Sequence, residues 1–120
     1  MIARLWHGRT AAAHADAYLT FLHERAVPDY AGVEGCLGVY VLHRTEGDVA
    51  HFQTLTFWTD EAVVRAFAGD DVLRAKYYPE DDGFLLEQGP FVQHFEVLEG
   101  VALSQLVGGA SDQAARAQGE

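Results

Sequence analysis

The sequence lacks most of what would take it outside the ordinary single-domain proteins. It has one cysteine in 120 residues, Cys36, so no internal disulfide can form and a cytoplasmic setting is expected. No stretch approaches the ~18 consecutive apolar residues of a membrane helix. The opening MIARLWHGR runs straight into an alternating pattern rather than a charged and then apolar leader. Positive charge is scarce and dispersed: Lys and Arg number 8 against 18 Asp and Glu, a formal net charge of −10 at pH 7. Arg4, Arg9, Arg25, Arg44, Arg65, Arg74, Lys76 and Arg116 occur one at a time. A nucleic-acid surface needs such residues clustered against phosphates, so no nucleic-acid partner is expected.

Reactive motifs are missing too. The acids group as Asp60-Glu61, Asp70-Asp71 and Glu80-Asp81-Asp82, but without calcium-loop spacing they read as solvated faces. His7, His14, His23, His43, His51 and His94 form no ligand pair at helical spacing with a neighbouring acid, so no metal site is expected. Cys36 has no flanking motif and reads as a small buried hydrophobe. Gly32, Gly35 and Gly38 follow a helix and enter a strand, the wrong order for a dinucleotide loop.

What is present is a regular alternation of strand and helix signals. The hydrophobic share is 49% and the charged share 22%, ordinary for one globular domain able to bury roughly two thirds of its unfolded surface. Met1–Arg9 alternates as a first strand, with Ile2 and Trp6 on one face and Ala3 and Leu5 on the other. Thr10 is placed to cap a helix whose stripe is Ala11, Ala15, Tyr18, Leu22 and Ala26, widened by Leu19 and ended by Pro28. Residues 35–45 and 49–58 read as strands joined by the turn Glu46-Gly47-Asp48. Thr59 or Asp60 caps a second helix with inner face Ala62, Val63, Ala66 and Phe67, ending at Gly69. DDVLRAKYY restarts a short helix that Pro79 stops, a polar loop follows, and residues 91–97 form a fourth strand.

This order is that of an α+β, ferredoxin-like βαββαβ domain with a four-stranded antiparallel sheet, occupying residues 1–99. Residues 100–120 form an extension: VALSQLV reads as a helical turn or an exchanged strand, and Gly108 onward as a mobile tail. Two helices cover one sheet face only. Strands one and three are apolar on both faces, so the open face is expected to meet an identical sheet in a homodimer closing towards an α/β barrel.

Chemistry is expected around the aromatic residues that flank the second helical piece. Trp58 ends strand three, Tyr77 and Tyr78 end the restarted helix, and Trp6 and His7 lie near the end of strand one. Tyr and His hold hydroxyls and carbonyls and move protons. Tyr77 and His7 are therefore the candidate catalytic residues, and Trp6, Trp58, Phe67, Tyr78 and His94 the candidate lining of a pocket between helices and sheet. For each of them plain packing is the competing reading.

FWTDEAVVRAFAG followed by DDVLRAKYYPEDDGFLLE, on this strand–helix order, resembles the antibiotic biosynthesis monooxygenase family of the dimeric α/β-barrel superfamily. The resemblance covers about residues 1–98. It implies a homodimer and an oxygenase that needs no cofactor, acting with oxygen on a hydroxylated aromatic or quinol-like molecule. A non-catalytic ligand-binding or stress-related dimer is the alternative. The family's haem-degrading branch carries a histidine near the end of the second helical segment and an asparagine on the first strand. Those positions fall near Tyr77 and near Trp6 or His7, and neither residue type is there. Tyrosinate can bind ferric haem, so haem is disfavoured rather than dismissed.

Overall fold

The computed structural model describes residues 1–101; the readings of the C-terminal extension fall on 102–120, outside the described residues. Strand β1 is Ile2–Ala11, β2 Cys36–Glu46, β3 Val49–Trp58 and β4 Gln93–Glu96. They form one antiparallel sheet in the order β2-β3-β1-β4. Gly47 takes φ 61° in the β2–β3 turn, the left-handed value that a tight hairpin requires. The architecture is the expected α+β ferredoxin-like one.

Between β1 and β2 the chain is helical from Ala12 to Ala31, in four pieces: a 3-10 turn, α1 (Ala15–Phe21), a π turn at Leu22–Ala26, and α2 (Val27–Ala31). Pro28 does not end the helix as expected. It sits in the first turn of α2, where its missing N–H costs nothing, and the widened turn before it, with Val27 N–H donating to Leu22 O, absorbs the misfit. Thr10 does not cap either. β1 runs two residues further than expected, so Thr10 is buried in the strand and bridged to Leu85. Tyr18, Leu22 and Ala26 face the sheet as expected, while Leu19 points outward.

Helix α3 is Glu61–Ala68, capped by Asp60 accepting from Val63 N–H at 3.0 Å. Its buried residues are Val64 and Phe67; Ala62 and Ala66 are exposed, which shifts the expected face. The restarted helix over 70–78 does not form. That segment pairs irregularly with the approach to β4, Ala75 N–H donating to Pro90 O and Val92 N–H to Leu73 O at 2.8 Å each. Backbone partners from a distant segment outweigh local helix propensity here.

Alternation divides the sheet cleanly. Arg4, Trp6 and Thr10 of β1 and Ala50, Phe52, Thr54, Thr56 and Trp58 of β3 are all buried under the helices. On the other face the register aligns Tyr40, Leu55 and Leu5 in one row and Phe57, Ala3 and Phe95 in the next. Tyr40, Leu42 and Phe95 of this face are exposed.

Candidate functional site

The helix-covered side holds two separate packed clusters. One gathers Trp58, Val64 and Phe67; the other gathers Trp6, Tyr18, Leu22, Ala26, Ala50, Phe52 and Val92. Tyr30 touches both and stacks on Phe67 with ring centres 4.7 Å apart. A cleft opens into the second cluster and holds about 380 Å³ counted to its mouth. Arg4 and Trp6 form its floor, Tyr18, Phe21 and Leu22 its helical wall, and Lys76, Tyr77, Tyr78 and Asp81 the wall opposite.

Trp6 is held there by its neighbours. The indole lies back over Gly8, where a Cβ would come within 2.4 Å of the ring, so the close approach depends on glycine. Its Nε1–H donates to Tyr77 OH at 3.2 Å, and Tyr77 OH donates to Gly89 O at 2.6 Å. The two rings meet edge to face at 6.3 Å. Burial pushes the Tyr77 phenol above its ordinary range despite the Trp6 bond, so it stays protonated and serves as a donor, not a base.

Two carboxylates support the walls. Asp81 is buried, accepting from Tyr18 OH at 2.8 Å and from Tyr78 N–H at 2.7 Å. Burial raises its carboxyl despite these bonds, and burial with Asp81 alongside raises the Tyr18 hydroxyl. Asp29 accepts from Tyr78 OH and from Lys76 Nζ at 3.1 Å. The Tyr78 bond, with Lys76 assisting, holds the Asp29 carboxyl below the usual range, and burial together with Asp29 raises the Tyr78 hydroxyl.

Arg4, 3% exposed, is bound differently. Its Nη1 donates to Val72 O and lies 3.0 Å from His94 Nε2, and its Nη2 donates to Arg74 O at 2.9 Å. An arginine only donates, so His94 Nε2 must accept and the neutral ring carries its proton on Nδ1. Burial, and then Arg4, lower the His94 pKa.

Of the residues expected from sequence, Trp6, Tyr77 and Tyr78 come together in this cleft. Trp58 and Phe67 do not: both belong to the closed cluster, where Trp58 is fully buried and its Nε1–H donates to Thr56 Oγ1 at 2.8 Å. His94 reaches the cleft only through Arg4. His7 lies on the open sheet face, because odd positions of β1 point away from the helices. There its Nε2 meets His51 Nδ1 at 3.0 Å, and His51 Nε2 meets Glu46 Oε1 at 2.9 Å. With the Glu46 carboxylate as acceptor, His51 Nε2–H donates to it, and His51 Nδ1 accepts from His7 Nε2–H. His7 is not among the residues that line the cleft with Tyr77. Sequence reasoning missed Arg4, Tyr18, Asp29 and Asp81. Arg4 alone carried a signal, a charged residue in the same strand phase as Ile2 and Trp6. Among the described residues no cluster of three metal-binding side chains occurs, and no helix is long and apolar enough to cross a membrane.

An antiparallel sheet under one helical layer, with an aromatic cleft between them, defines a ferredoxin-like α+β architecture. No family model and no curated protein matches the sequence. Solved structures do. The haem degrader MhuD of Mycobacterium tuberculosis, with two haems in its active site, matches with TM-score 0.57 at 18% identity over 85% of this chain and 100% of its own. A Bacillus cereus protein assigned by name to the antibiotic biosynthesis monooxygenases matches with TM-score 0.53 at 12% identity over 86% of this chain and 96% of its own. The chain therefore has the fold of the antibiotic biosynthesis monooxygenases.

Proposed function

We propose that this chain is a cofactor-independent oxygenase that oxidises a hydroxylated aromatic or quinol-like molecule in the Trp6–Tyr77 cleft. The observation that carries this reading is the fixed chain from Trp6 Nε1–H to Tyr77 OH to Gly89 O, at a cleft that the buried carboxylate of Asp81 also lines. A hydroxyl oxygen held in place by two hydrogen bonds still accepts from a substrate hydroxyl and orients it without reorganising. A carboxylate raised by burial is a better base than a solvated one. In this reading Asp81 takes the substrate proton through Tyr18, the substrate anion reduces oxygen, and a ring CH2 and O2 become a carbonyl and water. Tyr77 Oη accepts from the substrate hydroxyl and positions it, and Tyr78 lines the wall.

The reading includes a cytoplasmic homodimer. Support for the dimer comes from the open face, where Tyr40, Leu42 and Phe95 are exposed together beside Leu5, Leu55 and Phe57, an apolar surface of the kind that marks an interface. A bulky ring system needs the Lys76–Tyr78 wall to move outward, since little of the cleft is enclosed. Size alone does not separate an aromatic phenol from haem; ligation does. Residues 70–78 contain no histidine, and the Tyr77 hydroxyl is engaged with Gly89 O and held protonated, which suits an iron ligand poorly. These residues favour the phenol over haem, which stays the lesser reading.

Oxygen uptake with a panel of anthrones and quinols tests the proposal. Uptake above background, slowed by Tyr77→Phe, is the expected result. A bound ligand recovered unchanged with no uptake across the panel would replace it with the binding-only reading.

A further inference from the structure

The cleft floor contains a full positive charge with no counter-charge. Arg4 is 3% exposed, and among the described residues its partners are two backbone carbonyls and a neutral imidazole. Among the described residues it makes no ion pair. The two acids nearest the cleft are committed elsewhere, Asp29 to Tyr78 and Lys76, Asp81 to Tyr18 and the Tyr78 backbone. The Nε–H has no partner among the described residues, and the single bond to Arg74 O leaves donor capacity on Nη2 as well.

A buried, unpaired charge costs several kcal/mol. If the guanidinium served only to tie Val72 and Arg74 to the sheet, a neutral amide donor would do so without that cost. The rest of the surroundings give no reason for a cation either. The chain carries a net charge of −10, yet this buried arginine lines its aromatic cleft. What compensates a buried guanidinium best is a planar two-oxygen anion, which it meets with two parallel N–H bonds.

We propose that the ligand of this cleft is an acidic aromatic, one whose carboxylate or acidic enol oxygens sit against Arg4 while its ring lies against Trp6. The inference rests on the cleft being the ligand site but not on any turnover there. Arg4 is the specificity-determining residue: it selects the anion over the neutral isostere, and Lys76 at the wall, already paired with Asp29, is secondary.

The test uses the full chain and an isosteric pair of probes, 1-naphthoate and 1-naphthamide, titrated by calorimetry at fixed ionic strength. The native protein is expected to bind the acid at least tenfold more tightly than the amide. Arg4→Met should abolish that preference with amide affinity little changed, and Lys76→Gln should preserve it. Equal binding of acid and amide, binding of neither, or a preference that survives Arg4→Met would overturn the proposal. Should Arg4→Met fail to fold, the Arg4 Nε–H resonance of the native protein decides instead: it must move with naphthoate and stay still with naphthamide. A failed oxygen-uptake assay leaves this result untouched, while turnover of neutral quinols beside equal probe binding would sink only the acidic-ligand claim.

Discussion

Trp6 and Trp58 lie on the same buried sheet face, yet their surroundings diverge. Trp58 pairs across the sheet with Ile2 and Trp6 with Thr54, so they stand towards opposite ends of the layer under the helices. Around Trp58 the contacts are Val64, Phe67 and Tyr30, and its N–H is satisfied within its own strand by Thr56. Around Trp6 the apolar wall of α1 faces Arg4, Tyr77 and Asp81, and the indole N–H bonds to a residue on an irregular segment 71 positions away. One end of the layer is finished by packing. The other leaves polar groups lining a space, which is the arrangement the proposed ligand site uses.

Truncation should show the contrast most strongly. Trp58→Ala empties a fully closed site and is expected to cost about 3–5 kcal/mol, measured by chemical denaturation, with the surviving folded fraction keeping its preference for naphthoate. Leu55→Asp, on the open face, should leave the cleft intact but convert the proposed dimer to monomer in sedimentation; a dimer unchanged by that charge would place the interface elsewhere. Tyr77→Phe removes one acceptor and one donor and strands the Trp6 N–H and Gly89 O, an expected loss of about 1–2 kcal/mol. It should also slow any turnover far more than it weakens probe binding.

The smallest effect is in pH. Burial lowers the pKa of His94 and of His7, with Arg4 and His51 respectively adding to it. A depressed folded pKa contributes stability above the unfolded value, near 6.5, and that contribution is lost as pH falls through the lowered folded value. Melting temperature should therefore drop modestly below pH 6.5, and less so in His94→Gln. A flat profile would mean that neither ring is as enclosed as the structure places it.

Much of the architecture was legible because it depends on local pattern. Alternation located β3 to the residue, and Glu46-Gly47-Asp48 located its hairpin. Pro28 misled because a π turn, invisible in the pattern of apolar residues, made room for it. The segment over 70–78 misled because its backbone partners, Pro90 and Leu73–Val92, are set by tertiary placement. The site was half legible. Aromatic grouping found Trp6, Tyr77 and Tyr78, and strand parity already separated His7 from Trp6. Cross-strand register was needed to send Trp58 to the other end, and no periodicity supplies a register between β1 and β3. Arg4 was counted among dispersed surface cations although its phase matched Ile2 and Trp6; phase was the better guide.

The two indole N–H protons report the two ends of the layer separately, so their NMR resonances test the account most directly. Titrating 1-naphthoate should shift the Trp6 signal, whose N–H bonds to Tyr77 at the cleft, and leave that of Trp58 in place. A shift at Trp58 alone, or no shift at either, would contradict a ligand site at the Trp6 end.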